Sequence, residues 1–180
     1  MEIIVITLVM VVLLWGIVIY NRLVRDKNRV LAAWSDIDVQ LKRRYDLIPK
    51  LVDAVRQYAE YEQATLATLV ELRNRSEHTD SVSEKGRLEG SLGGRLKRLL
   101  ALAENYPDLK ANQSFLALQQ DLTDVETHIQ YARRYYNGAV RNLNVRIDSV
   151  PDLVVARLFR FTPRDFFELD TAEERRVPEI

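Results

Sequence analysis

Residues 3–20 read IIVITLVMVVLLWGIVIY, eighteen positions without one charged side chain. At 1.5 Å per residue such a helix rises about 27 Å, close to the roughly 30 Å hydrocarbon core of a bilayer. Trp15 and Tyr20 lie toward one end, where amphipathic rings favour the lipid–water boundary. A cleaved secretory signal needs a basic start, a shorter apolar stretch and a small-residue cleavage site. Met1-Glu2 has no basic residue, the run is too long, and Tyr20-Asn21-Arg22 offers no A-x-A pattern, so a retained anchor over residues 1–21 is expected. The chain has no cysteine to carry a lipid.

Beyond the run, Arg22, Arg25, Lys27 and Arg29 are offset only by Asp26, whereas the other side offers Met1-Glu2. Basic flanks stay cytoplasmic, so the expected orientation is an outside N-terminus and a cytoplasmic body. The plainer reading makes some of these residues ordinary helix-surface charges. The part outside the lipid, about 160 residues, suffices for one domain with a real core.

The 26 basic and 26 acidic side chains cancel, so no overall positive field recruits nucleic acid. Without cysteine there is no disulfide, thiolate chemistry or common zinc site, and two histidines are poor material for a metal cage.

Past the anchor, apolar residues recur at helical spacing through Leu23, Val30, Trp34, Ile37, Leu41, Ile48, Leu51, Val55, Leu66 and Leu69. Residues 76–83 read as a loop. A second stripe, Leu88, Leu92, Leu96, Leu99 and Ala103, closes at Asn105-Tyr106-Pro107-Asp108; the longest runs from Phe115 to Val150 and stops at Pro151. No segment alternates with period two, so the expected class is all-α. Pro49 either bends one long helix or separates two. The stripe passes through it in phase, but a single helix to Asn74 would outreach its partners. The preferred arrangement breaks near Asp46, with Asp46 as an N-cap and Pro49 in the first turn, and yields an antiparallel up-and-down four-helix bundle over residues 22–150.

Residues 151–180 form an aromatic segment and polar tail. Phe159, Phe161, Phe166 and Phe167 interleave with Arg157, Arg160 and Arg164, a composition that suits closure of the bundle end or an interfacial contact. Since the fourth helix returns toward the membrane, this segment is expected near the lipid surface. Thr171 to Ile180 is polar.

Catalytic templates lack parts. Gly86, Gly90, Gly93 and Gly94 near Lys97 form no phosphate loop and are read as loosening the helix start or permitting close helix approach. His78 falls in the loop, and His128 has Asp124 one turn away. Glu126-Thr127-His128 has the wrong spacing for a di-metal bundle, so no catalytic, metal or cofactor residue is assigned. Asp36, Asp38, Asp46, Tyr136, Asn137, Asn142 and Asn144 lie close to the stripes and suit a register-setting role. Lys42-Arg43-Arg44 reads as a solvated face.

Several longer motifs resemble the LemA family of bacterial membrane proteins. They are Tyr20-Asn21-x-Leu23-Val24, the run from Ala33 to Arg44, Asp46-Leu47-Ile48-Pro49, Glu104 to Ala111, Ala132 to Asn137 and Pro163 to Glu168. Lys50, Val150 and Arg160 depart from the family pattern; Arg160 replaces a common glycine and speaks against a tight turn there. The resemblance implies a single N-terminal span and a cytoplasmic or envelope-facing helical bundle of the up-and-down four-helix kind, with no agreed activity, substrate or cofactor; with the charge flank, the expected location is the bacterial inner membrane with the bundle on the cytoplasmic side. Two functions follow as expectations. One is a non-enzymatic module in which helix faces and Phe159, Arg160, Phe161, Phe166 and Phe167 engage the bilayer and another membrane or envelope protein. The alternative is a metal- or ligand-binding bundle, hydrolytic in its strongest form, using buried Asp36, Asp38 and Asp46.

Overall fold

A computed structural model describes residues 1–58 and 63–168. Among the described residues the regular structure is all helical: α1 (Glu2–Arg56), α2 (Gln63–Glu77), α3 (Val82–Ala103), α4 (Pro107–Lys110), α5 (Gln113–Asp148) and α6 (Asp152–Leu158). Thr171 to Ile180 lies outside the described residues.

The break expected near Asp46 is absent. α1 continues through Pro49 to Arg56, and Asp46 is an exposed mid-helix residue, not an N-cap. A helical proline has no N–H for the carbonyl one turn back, here Tyr45. That carbonyl is served from the neighbouring helix: Arg73 Nε of α2 donates to Tyr45 O at 3.3 Å, with the guanidinium 5.7 Å from the Tyr45 ring centre. A helix can tolerate the lost bond when an outside donor replaces it.

Other helix ends follow local chemistry. Ser81 accepts from the Glu84 amide at the start of α3, and Asn112 accepts from the Ser114 and Phe115 amides at the start of α5. Pro107 opens the short α4, where its missing N–H costs nothing.

The first part of α1 stands clear of the protein, with side-chain exposure from 80 % at Ile3 to 46 % at Val18. Water would make each such side chain forgo about 1.5–3 kcal/mol, whereas lipid accepts them. α1 is long and apolar enough to cross a membrane. Packing begins at Ile19 and Leu23 and continues through Ile37, Leu41, Ile48 and Val55.

α5 covers α1 along the length beyond the span, about 54 Å for 36 residues. Asp26 meets Arg146, Trp34 meets Tyr136, Arg44 meets Glu126 and Tyr58 meets Asn112, so numbers rise on α1 as they fall on α5. α2 and α3 are shorter, 15 and 22 residues, and lie against the far part of α1. Near the span their place is taken by α6 and the aromatic segment, which packs on Tyr20 and Trp34.

If Arg73 keeps α1 whole at Pro49, Arg73→Ala should lower unfolding stability by about 1–3 kcal/mol, the cost of an unserved buried carbonyl. In a Pro49→Ala background, where residue 49 regains its N–H, the loss should be clearly smaller. Equal losses in denaturant titrations of both backgrounds would rule this role out.

Candidate functional site

The aromatic segment forms a strap over the span-proximal half of the α1–α5 pair. α6 ends in a Schellman motif: Phe161 N donates to Ala156 O at 2.9 Å and Arg160 N to Arg157 O at 3.2 Å. Arg160 occupies the position that favours glycine, with φ 55, so the tight turn forms despite the arginine. From Thr162 to Glu168 the chain has no helix and runs back along α5.

Two asparagines seven residues apart on α5 hold it by the backbone. The Asn144 side chain donates to Arg164 O and accepts from Arg164 N, both at 2.9 Å; Asn137 does the same with Phe167 at 3.1 and 2.9 Å. Seven helical residues rise about 10.5 Å and three extended residues span about 10 Å, so helix and strap keep step. Tyr136 Oη donates to Asp165 O at 2.9 Å. Burial, then the nearby Asp165 carboxylate, raises the Tyr136 phenol above 10.0. Phe167, fully buried, meets the Trp34 ring edge-on at 5.7 Å. Where the strap passes α3, a Cβ on Gly86 would meet Glu168 O at 2.3 Å, so Gly86 admits the strap backbone and not a helix.

The second constellation is a buried polar node farther from the span. Arg44, 2 % exposed, pairs with Glu89 of α3, 1 % exposed, and with Glu126 of α5. The Tyr45 and Ser76 hydroxyls both donate to Glu89 and lie 3.0 Å apart. α1, α2, α3 and α5 therefore meet at one carboxylate–guanidinium pair. Burial raises the Tyr45 phenol above 10.0, against the opposing pull of Ser76 and Arg44, so it acts as a neutral donor. Nearer the span, Arg146 Nε bonds Asp26 at 2.6 Å and Nη1 bonds Asp152 at 3.1 Å. Burial lowers the Arg146 pKa, but these two carboxylates outweigh it and hold it raised.

Asp36, Asp38 and Asp46 are all exposed, so these three are not the buried carboxylates that the metal or hydrolase alternative expected; among the described residues the buried ones are Asp26 and Glu89. Among the described residues no group of three His, Asp or Glu could hold a metal. His128 is exposed and its ring nitrogen contacts the Asp124 carbonyl at 2.7 Å; the Asp124 carboxylate is engaged by Gln120. Of the aromatic segment, Phe159 and Arg160 are exposed, Phe161 and Phe166 are half-buried, and Phe167 belongs to the core. Lys42 and Arg43 are solvated as expected, but Arg44 is not.

Residues 33–180 match the LemA family model. The chain belongs to the LemA family. Protein LemA of Metamycoplasma hominis is 27% identical over 168 residues, covering 86% of this chain and 75% of that protein. Magnetosome protein MamQ 2 of Paramagnetospirillum magneticum is 23% identical over 175 residues, 83% of this chain and 64% of its own length. Magnetosome protein MamQ of Magnetospirillum gryphiswaldense is 22% identical over 174 residues, with 82% and 64% covered. This LemA-family chain thus spans a little under two thirds of the magnetosome relatives.

Sequence reasoning missed the node, although a signal was present. Arg44 falls on the stripe Ile37, Leu41, Ile48, Leu51, and Glu89 falls on the stripe Leu92, Leu96, Leu99. Opposite charges at stripe positions of two helices imply a buried pair.

Arg44→Met alone should cost about 3–5 kcal/mol, because Glu89 stays buried without its cation, while Arg44→Met with Glu89→Leu should recover most of that. Additive losses in a double-mutant cycle would show that the two do not form a pair. Tyr45 predicts an alkaline limit. Its contribution is complete below the unfolded pKa of about 10 and is lost as pH rises through the higher folded value. The thermal midpoint should hold to about pH 9 and fall above about pH 10, less steeply in Tyr45→Phe; identical slopes would contradict this.

Proposed function

We propose that this chain is a membrane-anchored, non-enzymatic scaffold: an antiparallel up-and-down four-helix bundle at the cytoplasmic face of the inner membrane, on which another envelope protein docks. The basic residues following the span support that orientation. None of the relatives named above carries an enzyme's name. The polar groups of the node and the strap are engaged within the fold: Glu89 by Arg44, Tyr45 and Ser76, and Asn137 and Asn144 by the strap.

The observation that carries the reading is an outward aromatic pair on α5. Tyr131 and Tyr135, one turn apart, are 63 % and 60 % exposed on the helix that lies along the anchored α1. Tyrosine, with tryptophan and arginine, is enriched at the energetic centre of protein interfaces. In this reading Phe161, Phe166 and Phe167 close the bundle end, and Phe159 and Arg160 stay outward beside the bilayer.

Crosslinking in native membranes followed by affinity capture of the full chain should recover a stoichiometric membrane or envelope protein. Tyr131→Ala with Tyr135→Ala should reduce that recovery at least about ten-fold, with membrane retention and thermal midpoint unchanged. Absence of a stoichiometric partner, or capture unaffected by the two substitutions, would refute the scaffold.

A further inference from the structure

The span-proximal end holds a cavity of about 370 Å³ between α1 and the strap, just past the last apolar residue of the span. Tyr20 forms one wall, with Phe159 and Phe161 against it at ring-centre distances of 4.7 and 5.9 Å. Lys27, Arg160 and Arg164 also line it, and no carboxylate does among the described residues. Each of the three cations is exposed, and none forms an ion pair with a described residue.

A second observation lies next to it. Val154 and Leu158, one turn apart on α6, are 67 % and 74 % exposed; Val150, just ahead of α6, is 80 % exposed and Phe159, just after it, 55 %. The inner side of the same segment is spent on the core through Ala156, which is fully buried. An outward apolar stripe beside the water-side end of a span, rimmed by arginines, is continuous with the surface that the span already gives to lipid. Tyr20 to Lys27 rises about 10 Å, the depth of a headgroup layer within reach of a snorkelling lysine.

We propose that this cavity is a binding site for the headgroup of an anionic phospholipid of the same bilayer, with Lys27, Arg160 and Arg164 around the phosphate and Val150, Val154, Leu158 and Phe159 seated among the upper acyl carbons. The site fits a lipid better than a soluble anion, because its cations stand beside an apolar stripe that a free phosphate leaves in water. Arg160 has a defined part: the left-handed turn places a charged residue between the two rings that meet Tyr20. The inference needs the span but not the docking protein, so loss of either property leaves the other measurable.

The test uses the full-length chain in mild detergent with equimolar phosphatidylglycerol and phosphatidylcholine, read by native mass spectrometry. The wild-type chain should retain phosphatidylglycerol at least about ten-fold over phosphatidylcholine, and the preference should shrink as salt rises. Lys27→Gln, Arg160→Asn and Arg164→Gln should each lower it, by roughly five-fold at most, and together bring it near one. Asparagine is chosen at 160 because it tolerates the left-handed backbone. Glycerol phosphate at millimolar concentration should not displace the lipid. Equal retention of the two lipids by the wild-type chain, or displacement by glycerol phosphate, would overturn the proposal. A fluorophore on Leu158→Cys should be quenched by lipids labelled near the headgroup in phosphatidylglycerol vesicles. A fully aqueous signal there would overturn it whatever the triple variant does.

Discussion

Everything in this fold answers one constraint: α1 runs without a break from an uncovered apolar stretch long enough to cross a membrane into its packed part, so the apolar stripe that begins at Ile19 must be covered as far as Val55. α5 matches it in length and does so alone on one side. On the other side two short helices cover the far half, and a strap of extended chain covers the near half. An extended strap held over the stripe through its own backbone is an economical cover for a helix end. It needs no second apolar face of its own, since Asn137 and Asn144 satisfy the amides and carbonyls of Phe167 and Arg164.

The Arg44–Glu89 node works against sliding. Buried ion pairs add little net stability compared with apolar residues of the same size, because desolvation offsets the attraction. Their geometry is demanding, however, and a shift of any of the four helices by one turn would separate Arg44, Tyr45, Ser76, Glu89 and Glu126. Arg146 with Asp26 and Asp152 gives the span-proximal end a comparable lock, and it does so where α5 turns into α6. Between these two points lies Trp34, which meets Tyr136 at a tilt and Phe167 edge-on, so the region between the polar locks is filled by rings.

Much of this was legible in the chain itself. The long exposed apolar helix was, because lipid demands length and apolarity and Ile3 to Tyr20 meets both. The stripes were, and with them the core positions Ile37, Leu41, Leu92, Val125 and Ile129. Pro49 misled because intrinsic helix preference is local, whereas the donor that replaces its N–H, Arg73, comes from another helix. Arg44 misled because its neighbours Lys42 and Arg43 are ordinary surface charges. The strap was half legible: Phe167 and the asparagines drew notice as residues, but their pairing depends on a chain reversal at Arg160 that a non-glycine residue conceals.

Both the scaffold and the lipid site assume that the membrane segment and the bundle share one rigid rod. The cysteine-free sequence lets this be measured directly, with spin labels on Arg25→Cys and Arg56→Cys, both exposed on α1, in the full chain reconstituted in bilayers. Thirty-one residues of unbroken helix separate the two sites by about 46 Å, whereas a reversal near Asp46 brings them to about 20 Å. A pulsed electron–electron resonance distribution centred near the longer distance is expected; one centred near the shorter would contradict the account.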